Sequence, residues 1–72
     1  MIYRFSTIIT QEGKWNVARA VELGVVSQGK TIQESIENLK EAVELYLEDN
    51  PKAKKLAAKS APFLTTLELQ RA

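Results

Sequence analysis

The stretch that most constrains this chain is residues 24–48, GVVSQGKTIQESIENLKEAVELYLE. Within it Ile32, Ile36, Leu39, Val43, Tyr46 and Leu47 recur at spacings of four, three, four, three and one. That spacing lays an apolar stripe along one face of a helix. The other face carries Gln33, Glu37, Lys40, Glu41, Glu44 and Glu48, which read as solvated. Thr31 and Glu34 have the spacing of a capping box, in which Thr31 accepts from the Glu34 amide and the Glu34 side chain reaches back to the Thr31 amide. Gly29, just before the cap, reads as a turn residue with positive φ. Pro51 stops the helix, because it lacks an N–H and clashes with the preceding turn. Burial of an aliphatic side chain contributes about 1.5–3 kcal/mol. A sheet under this stripe therefore holds a helix that would be marginal alone.

The flanks supply that sheet. Residues Ile2 to Thr10 alternate, with Tyr3, Phe5, Thr7 and Ile9 on one side and Arg4, Ser6, Ile8 and Thr10 on the other. After a short loop containing Gly13, Trp15 to Val21 read as a second strand, and Val25 to Gln28 as a third. Three strands with tight turns make an antiparallel meander. Beyond the helix, Asn50 and Pro51 read as the cap and first residue of a short second helix reaching Lys59. Phe63 to Gln70 read as a fourth strand. A right-handed crossover through the helix lays that strand parallel to the first. The expectation is a single α+β domain over residues 1–72, sheet order 3-2-1-4, with the helix on one face.

With 72 residues the core is small, and nothing staples it, since the chain has no cysteine. Its two edge strands, the third and the fourth, invite pairing, so a homodimer or tetramer is expected. There is no histidine either, which removes the commonest general base and zinc ligand. No acid stands on the first strand, as a metal-dependent nuclease of this architecture would need, and no serine has a base to activate it. No enzyme, metal or cofactor is expected. The net charge of +1 gives no global field for nucleic acid. Charge is nonetheless divided. Residues 31–49 hold six acids and one lysine, whereas Lys52, Lys54, Lys55 and Lys59 follow without an acid. The basic run reads as solvated or phosphate-binding, and the acidic face as solvated or partner-binding. With neither an apolar run long enough to span a bilayer nor a signal sequence, the expectation is a cytoplasmic protein.

The segment Glu22-Leu23-Gly24-Val25-Val26-Ser27-Gln28-Gly29-Lys30-Thr31, followed by Glu34, Ile36, Asn38, Leu39, Glu41-Ala42 and Glu44-Leu45-Tyr46-Leu47, resembles the HicB family of antitoxins. Pro62-Phe63-Leu64-Thr65-Thr66-Leu67-Glu68-Leu69 is similar to the end of that family's short members. The chain departs from the pattern at Ala20 and Val21, where many relatives have proline second. The resemblance implies a partial ribonuclease-H-like fold without the nuclease site. It also implies an antitoxin role in a type II toxin–antitoxin pair, inhibiting a HicA-like toxin, a small basic mRNA endoribonuclease. DNA binding by this chain alone is not expected. The alternative is a nucleic-acid-binding module, or an orphan homo-oligomeric module without a toxin. The partner-contact candidates are Trp15, Glu22, Ser27 and Gln28, chosen for their place near the turn ends of the sheet.

Overall fold

The structure, a computed structural model, describes residues 3–58 together with residues 67 and 70. Strands β1 (Thr7–Glu12), β2 (Trp15–Ala20) and β3 (Val25–Gly29) precede helix α1 (Ile32–Asp49) and a 3-10 helix (Pro51–Leu56). The strands form one antiparallel sheet in the order β1-β2-β3, so the chain is α+β, as the alternation predicts. Two turns set the register. Gly13 has φ 60 and Lys14 does not share the positive sign, the pattern of a two-residue II′ hairpin between Glu12 and Trp15. Gly24 has φ 70 and donates its N–H to Ala20 O at 2.8 Å, closing the β2–β3 turn.

Several boundaries differ from the sequence reading. Pairing of the first strand begins at Thr7, not Ile2, and runs on to Glu12. Ser6 is held by the β2–β3 turn instead. Its N–H donates to Glu22 Oε1 at 2.7 Å, its hydroxyl to Glu22 Oε2 at 2.5 Å, and its carbonyl accepts from Val21 N–H at 2.9 Å. The second helix is a 3-10 turn ending at Leu56, with Asn50 at its N-cap position and Pro51 at its start as expected, but the Asn50 side chain makes no hydrogen bond to it. Asn50 closes α1, its Nδ2 and backbone N–H both donating to Tyr46 O at 3.1 and 2.9 Å. Ala58 then donates to Arg4 O at 2.6 Å in an isolated antiparallel bridge. The fourth strand and the 3-2-1-4 order fall outside the described residues; of that stretch Leu67 and Gln70 alone are described, both exposed.

Helix α1 lies across β2 and β3. Ala18, Ala20 and Leu39 form the buried centre, with Phe5, Ile9, Val25 and Val43 packed around them. Ser35 is also fully buried, its hydroxyl donating to Ile32 O at 2.7 Å. The buried line of the helix therefore runs through Ser35 and Leu39, rotated from the apolar stripe. Ile32 and Ile36, the first stripe residues, are 56% and 41% exposed. The reason is a surface of small residues beneath the helix. Alanines at 18 and 20 and glycine at 29 let the backbones approach closely, and a serine that satisfies its own hydroxyl fits there better than isoleucine. Gly29 is not in the positive-φ region that the sequence suggests for it. A Cβ built on Gly29 would stand 2.6 Å from Ser35 N and 2.8 Å from Glu34 C. Glycine is required here by the first turn of α1, not by a turn of its own. The cap itself forms as expected on one side, with Glu34 N–H donating to Thr31 Oγ1 at 3.0 Å. The Glu34 carboxylate reaches one residue further back than a capping box, accepting from Lys30 N–H at 3.3 Å.

Ile36, Val43 and Leu47 instead border an open apolar groove of about 690 Å³. Tyr3, Phe5 and Thr7 form its other wall.

Candidate protein-docking surfaces

The four contact candidates from the sequence do not meet. Trp15 and Gln28 lie on the face of the sheet away from α1, because Ala18, Ala20 and Val25 fill the helix face and neighbours along a strand alternate. Trp15 is 41% exposed there. Ser27 is paired with Ala18 and belongs to the helix face. Glu22 is engaged from within, accepting both hydrogen bonds of Ser6. Those bonds, led by the Ser6 hydroxyl, hold its carboxyl below the usual glutamate range. Glu22 is thus a clamp between the entering chain and the β2–β3 turn. Of the other residues in this region, Asn16 and Asn38 are also spent on the backbone, donating to Lys30 O at 3.1 Å and Gln28 O at 2.9 Å.

The side of α1 turned from the sheet carries the acidic face that the sequence leaves as solvated or partner-binding. Glu34, Glu37, Glu41, Glu44 and Glu48 recur at spacings of three, four, three and four, and all are exposed. This is the repeat of a straight ridge on a helix, about 21 Å long at 1.5 Å per residue. The signal is present in the sequence, as a second stripe running beside the apolar one. Each neighbouring pair of like charges costs about 0.2–0.5 kcal/mol in a helix. Glu48 and Asp49 also stand in the last turn, where no basic residue accompanies them, against the sense of the helix dipole. Gln33 Nε2 donates to Glu37 at 3.2 Å and leaves that charge in place.

The lysines are arranged differently. Lys52, Lys54 and Lys55 lie on the six-residue 3-10 helix, and Lys54 Nζ sits 5.5 Å from the centroid of the Tyr3 ring. That contact ties the 3-10 helix to the segment that leads into β1. Among the described residues there is no group of three or more carboxylates, histidines or cysteines placed to hold a metal ion. No helix among them is long and apolar enough to cross a membrane. No protein-family model matches the chain, and neither the curated proteins nor the solved structures contain a match.

Proposed function

We propose that this chain is an antitoxin of the HicB type, which binds a small basic HicA-like mRNA endoribonuclease and masks its RNA surface through the acidic ridge of α1. The observation that carries the reading is the ridge itself: five exposed carboxylates in line on an 18-residue helix. A ribonuclease presents cations where phosphates bind, and a rigid row of carboxylates competes for them through complementary potential. The resemblance of residues 22–47 to the HicB family supports the same partner. In this reading the fold is a partial ribonuclease-H-like one, with residues 63–70 as a fourth strand parallel to β1. The right-handed crossover rule and the open apolar groove beside Tyr3 and Phe5 favour that placement.

The test is affinity capture of the tagged full chain from its native cells, read by mass spectrometry, in parallel with Glu37→Lys/Glu41→Lys/Glu44→Lys. A small basic protein at near-equal stoichiometry is expected with the wild type and not with the triple variant. When purified, that protein should cleave RNA and stop cleaving on addition of the wild-type chain. Capture of this chain with itself alone would overturn the reading.

A further inference from the structure

Helix α1 covers one face of the sheet and leaves the other open. β2 runs along the middle of the open face and presents Trp15, Val17 and Arg19 on it. Trp15 and Arg19 are both exposed and stand four residues apart, about 13 Å at strand rise. Each offers a flat plane, an indole at one end of the strand and a guanidinium at the other. Val17 lies between them, flanked by Thr10 on β1 and Gln28 on β3. Thr10 and Gln28 are exposed as well, one carrying a hydroxyl and the other an amide. Two further cations gather round the tryptophan. Lys14 precedes it in the hairpin, and Lys30 stands across from it, one step beyond the Asn16–Gly29 pair. The Lys30 backbone is fixed on both sides, its N–H donating to Glu34 Oε1 at 3.3 Å and its carbonyl accepting from Asn16 Nδ2 at 3.1 Å. Glu12, the neighbour of Trp15 on β1, is the one acid in the three strands. The open face thus sets Arg19, Lys14 and Lys30 against a single carboxylate, while α1 turns its ridge of glutamates to the other side of the domain.

We propose that this face binds a single strand of nucleic acid, with bases stacked on Trp15 and Arg19 and phosphates drawn to Lys14 and Lys30. Chemistry, charge and area together select this occupant. An aromatic ring and a guanidinium plane on an exposed sheet are the groups on which unpaired bases stack. Cations at the rim of such a platform neutralise the phosphates that accompany the bases. Thr10 and Gln28, between the two planes, supply donors and acceptors to base edges and to a 2′-hydroxyl. Three strands by about five residues give a face of about 14 by 17 Å, well short of the roughly 800 Å² per partner that a specific protein interface buries. That area suits about two or three bases of a single strand. A duplex keeps its base faces stacked on one another and has none to offer. Glu12 repels phosphate on the β1 side of Trp15, so the backbone of the bound strand runs over β3 and Lys30. The site uses neither the acidic ridge nor the lysines of the 3-10 helix, and it stands or falls independently of the antitoxin reading.

The experiment titrates the full chain, with no partner protein present, against short oligouridylate and oligothymidylate at low salt. The readout is the emission of Trp15, the only tryptophan, with the anisotropy of fluorescein-labelled strands giving affinities for the variants. Quenching of the indole by both strands, and not by a duplex of the same length, is the expected result. Quenching by the RNA strand alone would equally support the site, with Thr10 and Gln28 reading the 2′-hydroxyl. Trp15→Ala should weaken binding about five- to 150-fold, the range for one stacked base, and Trp15→Phe should retain most of it. Arg19→Gln and Lys30→Gln should each flatten the slope of log affinity against log salt by about 0.7. Glu12→Gln should tighten binding, a gain that misfolding cannot produce. Lys52→Gln/Lys55→Gln, on the 3-10 helix, should leave the affinity unchanged. Absence of quenching by either strand, quenching as strong by the duplex, or binding that survives Trp15→Ala but not Lys52→Gln/Lys55→Gln would each overturn the proposal.

Discussion

Replacement of Gly29 by alanine tests the packing that organises this domain. The added methyl would lie 2.6 Å from Ser35 N, 2.8 Å from Glu34 C and 2.9 Å from Glu34 Cβ. The two nearest atoms are backbone in the first turn of α1, which no side-chain rotation can move. Ordinary contact needs the start of the helix to withdraw by most of an ångström. A gap of that size forfeits a quarter to a half of the dispersion contact of the groups it separates, here Ser35 and Leu39 against Ala18 and Ala20. Overpacking of this kind costs about 1–3 kcal/mol. A domain of this length has a total stability of only about 4–11 kcal/mol. The loss corresponds to about 4–24 °C in Tm. The assay is urea denaturation followed by circular dichroism, with Gly13→Ala as comparison. At Gly13 the space is open and φ is 60, so that variant loses stability through backbone strain alone. Gly29 is outside the positive-φ region, so its loss can come only from the helix contact. A midpoint for Gly29→Ala equal to that of wild type would refute the close approach.

Leu39→Ala, at the centre of the buried cluster, should cost about 2–5 kcal/mol in the same assay, whereas Ile32→Ala on the exposed flank should cost well under half of that. Glu22→Gln should lose stability at neutral pH. Because Ser6 lowers the native carboxyl below its ordinary value near 4.5, the contribution of Glu22 is present above that pH and lost as pH falls through the native value. The difference between wild type and Glu22→Gln should therefore narrow on acidification below about pH 4.5; a constant difference would exclude the carboxylate clamp. Glu41→Gln relieves repulsion with Glu37 and Glu44 and should raise stability by up to about 1 kcal/mol at low salt, the gain disappearing at high salt. A destabilised Glu41→Gln would show that the ridge is not a line of unrelieved like charges.

The strand–strand–strand–helix order was legible in the sequence because each element satisfies a local rule. β2 alternates cleanly and α1 opens with a threonine whose hydroxyl can take the Glu34 amide. Gly13 occupies the one hairpin position that a side chain resists. The acidic ridge was equally legible, since a spacing of three and four is a property of the chain, but spacing alone does not say whether that face meets solvent or a partner. The boundaries were less so. Residues 2–6 continue the alternation of β1, yet nothing local reveals that Glu22, sixteen residues on, takes both hydrogen bonds of Ser6. Asn50 has the chemistry of a cap for either neighbouring helix and stands at the boundary of both, and the position of Tyr46 O decided which one its side chain bonds. Among the site candidates, alternation alone divides Gln28 from Ser27, but not which of the two faces the helix would choose.

That choice is what the tertiary structure decided. By itself the sequence determined two amphipathic systems, a meander with period two and a helix with period near 3.6, and it made them dependent on each other. It offered two possible inner faces on β2, one of Trp15, Val17 and Arg19, the other of Asn16, Ala18 and Ala20. Hydrophobicity favours the first. Packing selected the second, because a helix gains most where its backbone can approach, and alanine, glycine and serine allow a closeness that tryptophan and arginine forbid. The large residues were thereby left on the open face, and Gly29 acquired its role from a helix turn that begins only three residues later.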